Sequence, residues 1–200
     1  MIADPVLDTP AQMTPRERLL LFALVTAALP TRVLEIGSCE GGSTLIIHRA
    51  LDPSAVLVSI DPRPRWSDAT RRELEPRTHL ITGSSPESLP AAMQCAGGKF
   101  QFALVDGDHS ALGVAADLRG LAAYLEPGAL VLLHDAHYWR VREGIDAVLR
   151  EKGPFVDVGL VSVEPTPEGR EEQGHAVVWG GLRLLRFEAE PTAGRYMPCS

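Results

Sequence analysis

Residues 31–43, TRVLEIGSCEGGS, constrain the fold more than any other stretch of the chain. Val33, Leu34 and Ile36 form a short apolar run with β-branched members, the mark of a buried strand, with one acid, Glu35, inside it. Gly37, Gly41 and Gly42 follow, then Ser43, Thr44 and the apolar Leu45, Ile46 and Ile47 of a helical segment. Strand, glycine turn and helix in that order let a ligand reach the free backbone amides of a helix N-terminus. Glycine serves there because a side chain would block the approach. The spacing is G-x-x-x-G-G, unlike the G-x-G-x-x-G of a dinucleotide fingerprint. The acid two residues before the first glycine disfavours a pyrophosphate and suits a cationic ligand.

A chain of 200 residues suffices for one domain with a substantial core. The net charge of −7, without a basic cluster, argues against nucleic acid and anionic membrane as partners. Cys39, Cys95 and Cys199 are odd in number and lack metal-ligand spacing, which fits a reducing, cytoplasmic location. Residues 19–29, LLLFALVTAAL, are too few to span a bilayer. Asp4, Asp8 and Glu17 deny them the basic start of a signal peptide.

Taken in order, residues 1–13 read as an arm or a lid. Thr14-Pro15-Arg16-Glu17 is a capping box with proline at the first helical position, opening a helix to about residue 29. Strands are expected at 55–60, 78–82, 99–105, 129–133 and 155–163, with helices at 67–75, 111–125 and 140–150. The polar, proline-containing segment 165–174 reads as a loop. Residues 176–187 read as a last strand, with Gly180-Gly181 marking a bulge or a close approach. The divisions are 1–30 for arm and first helix, 31–188 for the main α/β domain and 189–200 for a loose tail. Five alternations of strand and helix imply a mostly parallel sheet.

In an open parallel sheet, ligands bind beyond the carboxyl ends of the strands. Each of the first five expected strands delivers polar residues to that edge: 35–43 after the first, Asp61 after the second, Ser84 and Ser85 after the third, Asp106–Gly107–Asp108–His109 after the fourth and His134–His137 after the fifth. Asp61 suits a ribose diol or a turn. Ser84 and Ser85 suit the edge of an adenine, and Ser85 equally suits a helix cap.

LEIGSCEGGST resembles motif I of the class I S-adenosylmethionine-dependent methyltransferases, with spacing like that of the catechol-type O-methyltransferases. VDGDH followed by LEPGALVLLHD extends the likeness, over about residues 31–137, to the macrocin and mycinamicin sugar O-methyltransferases and the cephalosporin-biosynthesis enzymes. The resemblance implies a three-layer, Rossmann-like sandwich with seven strands in the order 3-2-1-4-5-7-6, the last antiparallel. It implies methyl transfer from S-adenosylmethionine to a small-molecule hydroxyl, in bacterial natural-product or sugar metabolism, by an enzyme that is often a dimer.

Carried onto this chain, the resemblance makes residues 31–188 the donor-binding catalytic domain. Glu35 would hold the amino end of the donor or shape the loop. Gly37, Ser38, Gly41 and Ser43 would meet its methionine portion, Asp61 its ribose, and Ser84, Ser85 and Asp106 the rest of it. Asp108 or His109 would be the general base. Asp106 and Asp135 would hold Mg²⁺ or another divalent metal, which prefers oxygen ligands and keeps waters. The chain departs from the family where a further acid or amide usually stands beside the fifth-strand aspartate. His134 occupies that place, and imidazole suits iron, zinc or nickel better than magnesium. The rival readings are a metal-independent N- or O-methyltransferase, an NAD-dependent oxidoreductase and a non-catalytic binding protein. The glycine spacing and the lack of a Tyr-x-x-x-Lys set weigh against the oxidoreductase.

Overall fold

The computed structural model describes residues 4–75 and 77–189, so the expected tail lies outside the described residues save for Ala189. A four-residue helix α1 (Asp4–Leu7) leads to α2 (Pro15–Ala28), whose capping box is formed on both sides: Glu17 N donates to Thr14 Oγ1 at 3.3 Å and Thr14 N to Glu17 Oε2 at 2.8 Å. The alternation then runs β1 (Arg32–Ile36), α3 (Gly42–Ala50), β2 (Val56–Asp61), α4 (Asp68–Leu74), β3 (Thr78–Thr82), α5 (Leu89–Ala96), β4 (Phe100–Val105), α6 (Ala111–Leu121), β5 (Leu125–Leu133) and α7 (Trp139–Arg150). Four more strands close the chain: β6 (Phe155–Ser162), β7 (Thr166–Glu172), β8 (His175–Trp179) and β9 (Leu182–Phe187).

Seven of these strands form one sheet in the order β3-β2-β1-β4-β5-β9-β6. The last strand of the chain slots between β5 and β6 and runs antiparallel to both, as the resemblance implied. Both faces are covered, which is why the central strands read as near-continuous apolar runs. Leu34 and Ile36 of β1 point to the side of α5, α6 and α7, whereas Val33 points to the side of α2 and α3. Among the described residues, no helix is long and apolar enough to cross a membrane.

Four expectations give way. Residues 165–174 are largely strand, because β7 pairs antiparallel with β8 in a separate two-stranded hairpin. Its two-residue loop, Gln173-Gly174, has φ of 52° and 79°, the doubly left-handed geometry that matches strand twist. Residues 176–187 are accordingly two strands, parted at Gly180-Gly181. Pro127-Gly128 lies inside β5 at a register shift against β4, where a missing proline N–H costs no ladder bond. The helix expected to run to residue 125 ends at Leu121 and passes into a 3₁₀ turn.

Arginine side chains hold the arm, Arg49 donating from a terminal nitrogen to Thr9 Oγ1 at 2.6 Å. Arg18 donates from Nε to the Met13 carbonyl at 2.9 Å, and from its two terminal nitrogens to the carbonyls of Leu7 at 2.7 Å and Ala11 at 2.8 Å. Residues 10–13 are thereby laid over the carboxyl edge of the sheet, where they wall the cavity described next.

Candidate functional site

A cavity of about 630 Å³ lies along the carboxyl ends of β1, β2, β3, β4 and β5. That volume falls in the range of small-molecule and cofactor sites, about 300–1,000 Å³. Its near wall is the turn after β1. Gly37, at φ 88°, donates its N–H to the Ile60 carbonyl at 2.8 Å. Ser38 and Cys39 donate their N–H groups to Asp61 Oδ2 at 2.9 and 2.7 Å, and Arg63 N donates to Oδ1 at 2.6 Å. Asp61 therefore both faces the cavity and fixes the glycine turn from the neighbouring strand.

Glu35 does not face the cavity. It is wholly buried and accepts from Ser43 Oγ at 2.6 Å, Thr44 Oγ1 at 2.6 Å and Ser59 Oγ at 2.8 Å, so it shapes the loop. Its reading as a direct ligand contact is corrected for that reason. Gly41 is likewise outside the wall, packed toward Thr70 and Trp66. Ser38, Ser43, Ser84 and Ser85 line the wall, although the Ser43 hydroxyl is spent on Glu35. Ser85 does not cap α5, which begins after Ser88.

Burial raises the Glu35 carboxyl to about 7, against the pull of the three hydroxyls. The unfolded group titrates near 4.5, so this contribution to stability is complete below that pH and is lost as pH rises to about 7. The difference amounts to about 3 kcal/mol. A Glu35→Gln variant has no such titration. In urea unfolding, its stability relative to the unsubstituted protein should rise by about 3 kcal/mol between acid and mildly alkaline pH. A gap that stays constant with pH would contradict an ionising Glu35.

At the far end, four side chains from β4, β5 and the turn before α6 converge. His109 Nε2 lies 3.0 Å from Asp135 Oδ2 and 3.4 Å from Asp106 Oδ1. His134 Nδ1 lies 3.2 Å from Asp106 Oδ1 and 3.5 Å from Asp135 Oδ2. Asp106, His134 and Asp135 each offer a ligand atom within 4.8 Å of the others. Burial would raise the Asp106 carboxyl, but His134 and His109 outweigh it and hold it at about 2. Hydrogen bonds to Asp106 and Asp135 lift His109 to about 10. Burial works against the charge on His134, yet Asp106, Glu17 and Asp135 keep its pKa well above the usual imidazole value. Asp108 stands apart: its carboxylate accepts from Ser110 N at 2.8 Å and Ser110 Oγ at 3.0 Å, capping the turn into α6.

Several wall and anchoring residues escaped the sequence reading. Glu17 accepts from Gly181 N at 2.6 Å while its other oxygen lies 3.6 Å from His134 Nε2. Gly180 N donates to Asp135 Oδ1 at 2.6 Å. The close approach expected at Gly180-Gly181 is thus a pair of amides that tie α2 and β5 together. Trp179, on β8, meets His109 edge-on at 5.6 Å and stacks on Tyr138 at 4.4 Å, so the hairpin flanks the His109 side. Asp117, in α6, is buried in the cavity wall. Its signal was present: positions 114, 117, 118 and 121 form one buried helical stripe, and an acid stands in it.

The family described as a methyltransferase domain matches residues 34–136, slightly more than half of the chain. The catechol O-methyltransferase of Mycobacterium tuberculosis (strain ATCC 25618 / H37Rv) is 30% identical over 93 residues, 44% of this chain and 41% of that protein. The transmembrane O-methyltransferase of Homo sapiens is 34% identical over 86 residues, 40% of this chain and 30% of that protein. The chain thus spans less than half the length of these curated relatives. The O-methyltransferase from Bacillus cereus, solved in complex with SAH, has a TM-score of 0.67 to this structure at 17% identity, covering 92% of this chain and 86% of that chain. That likeness is one of fold.

Proposed function

The chain belongs to the methyltransferase-domain family, and from that premise we propose that it moves the methyl group of S-adenosylmethionine to a hydroxyl oxygen of a small molecule. One observation carries the reading: a single cavity joins the turn after β1, Asp61 and Ser84-Ser85 to the cluster of Asp106, His109, His134 and Asp135. From β3 to β5 that edge spans four inter-strand spacings, roughly 19 Å, room for an extended donor with an acceptor at one end. The family names of the relatives favour oxygen over nitrogen as the methylated atom.

The residues divide the work by position. The Gly37–Cys39 turn and Asp61 hold the middle of the donor. The arm residues 10–13, fastened by Arg18, cover it and exclude water. At the acceptor end, Asp106 and Asp135 draw in a hydroxyl, and Trp179 and Tyr138 on the hairpin side limit its shape. Alignment is the largest gain, up to about 7–11 kcal/mol for well-held reactants. His109 starts protonated at neutral pH. A divalent cation held by Asp106 and Asp135 would lower the His109 pKa, and His109 would then be able to accept the hydroxyl proton. Asp108, engaged with Ser110, is the weaker candidate for that task.

Asp106, His134 and Asp135 fit a divalent cation, because their donor atoms converge and His134 Nδ1 is buried without a hydrogen bond. The imidazole favours a transition metal over magnesium. A bound cation would lower the pKa of the hydroxyl it touches. His109 between the two carboxylates supports a second, metal-free version, in which the imidazolium stays in place and one carboxylate of the cluster, Asp106 or Asp135, takes the hydroxyl proton as the methyl group leaves the sulfonium. Calorimetry on chelator-treated protein with Mn²⁺, Zn²⁺ and Mg²⁺ separates the two.

The first test is calorimetric titration with S-adenosylmethionine and with S-adenosylhomocysteine (SAH). Micromolar binding of both is expected. No binding at millimolar ligand, with uptake of a nicotinamide cofactor in their place, would overturn the proposal.

A further inference from the structure

Strand alternation sends His134, the residue after β5, to the side of α2, because Leu132 packs on that side and Leu133 on the other. There it meets the first turn of α2, where Glu17 opens a buried stripe completed by Leu21 and Val25. Capping alone does not call for burial, yet Glu17 has no exposed area. Both of its oxygens accept backbone amides, Oε1 from Gly181 at 2.6 Å and Oε2 from Thr14 at 2.8 Å, as an ionised carboxylate does. Burying that charge is costly unless a cation stands near, and His134 supplies one.

His134 is 4% exposed, and neither of its ring nitrogens makes a hydrogen bond. Its backbone is tied, N to the Val105 carbonyl at 3.1 Å, so rotation of the ring is the freedom that remains. The two nitrogens face different groups. Nδ1 is turned to the cavity, 3.2 Å from Asp106 Oδ1 and 3.5 Å from Asp135 Oδ2. Nε2 is turned to α2, 3.6 Å from Glu17 Oε2. That separation is a contact between charges rather than a hydrogen bond, and it gains strength where water is excluded. Turning the ring over would set carbon atoms in place of both nitrogens. Glu17 does not line the cavity and gives no atom to the converging set of Asp106, His134 and Asp135. It reaches the site through His134.

We infer that Glu17 is a positioning residue that decides which nitrogen of His134 the site can use. Its carboxylate faces the N–H at Nε2 and fixes the ring plane, so Nδ1 is the atom that presents a lone pair to a cation held by Asp106 and Asp135. The Nδ1 proton passes to solvent as the cation binds. A carboxylate behind a ligating imidazole fixes both its tautomer and its orientation in this way. The same side chain holds the Gly181 amide, and the neighbouring Gly180 amide holds Asp135 Oδ1, so Glu17 stands behind two members of the set. The inference rests on the cation reading above and adds to it a residue of α2 that touches neither donor nor acceptor.

The test titrates the chelator-treated full chain with Zn²⁺ alone by calorimetry. Glu17→Gln turns one of the two acceptor atoms into a donor and takes the charge from behind Nε2. Its zinc affinity should fall about 10–100-fold. Thr14→Ala is the control for helix structure: it removes the bond from Glu17 N to Thr14 Oγ1 and leaves the carboxylate in place. Its zinc affinity should stay within about threefold of the unsubstituted protein. No loss in Glu17→Gln, or an equal loss in both variants, overturns the assignment. Nitrogen-15 NMR of the zinc-loaded unsubstituted protein decides the case if Glu17→Gln does not fold. The His134 ring should show zinc on Nδ1 and a proton on Nε2, and zinc on Nε2 or on neither nitrogen overturns the assignment. Failure of the unsubstituted protein to bind zinc at all strikes the cation reading itself, and the inference with it, while leaving the donor reading to its own titration.

Discussion

Asp135→Asn lowers turnover by roughly 10²–10⁴ while leaving SAH affinity within a few-fold. The substitution is unusually clean. Asp135 sits at φ 53°, a conformation that asparagine tolerates and alanine resists. Asn Oδ1 still accepts from the Gly180 amide, now bound at 2.6 Å to Asp135 Oδ1. Only the charge on Oδ2 disappears, and that oxygen faces His109 at 3.0 Å and His134 at 3.5 Å. The acceptor end then has one carboxylate for two imidazolium groups, and neither a hydroxyl proton nor a metal cation finds the charge it needs. Removing one partner of a buried pair costs stability as well, up to about 3–5 kcal/mol, so the melting temperature must be followed beside the rate. Full activity in a folded Asp135→Asn protein would remove this cluster from the chemistry.

The alternation of strand and helix was legible because the signals were local and repeated: an apolar run, then polar residues, five times over, with proline or glycine between; the order of the strands in the sheet came from the resemblance alone. The site was legible for the same reason, since strand ends gather at one edge whatever the helices do. What failed was local chemistry with a second meaning. Glu35 looked like a ligand contact because it stands two residues before Gly37, yet strand alternation turns it to the α3 side, where Ser43, Thr44 and Ser59 await it. The hairpin was hidden because β7 is almost all polar and exposed, and its pairing with β8 depends on a Gln-Gly loop that propensity does not favour. Glu17 was seen as a cap and nothing more. Its bond to the Gly181 amide, 164 residues away, leaves no mark in the sequence. Asp117 differs from these, since an acid on an apolar helical stripe is visible in advance, and only the packing of α6 places it in the cavity wall.

Gly37→Ala should be the most damaging glycine-to-alanine change among the described residues. Its Cβ would stand 2.1 Å from the Asp106 carbonyl oxygen and 2.6 Å from that carbonyl carbon, and backbone atoms cannot swing aside. The positive φ adds about 1–2 kcal/mol of its own. Forcing a methyl into a packed interior adds about 1–3 kcal/mol, for a total of roughly 2–5 kcal/mol. Gly128→Ala separates the two costs, because Gly128 has nearly the same φ, 86°, and nothing within 4 Å of an added Cβ. Chemical denaturation of both variants should therefore show Gly37→Ala losing at least about 1 kcal/mol more than Gly128→Ala. The functional loss should exceed the stability loss. Relief of the clash must part the ends of β1 and β4, which Asp106 N joins to the Ile36 carbonyl at 2.8 Å. That movement shifts Asp106 away from His134 and the turn away from Asp61 at once, so SAH binding and turnover fall together even where the variant remains folded. If Gly37→Ala proved no worse than Gly128→Ala and bound SAH normally, the turn after β1 could not be the clasp on which the donor site depends.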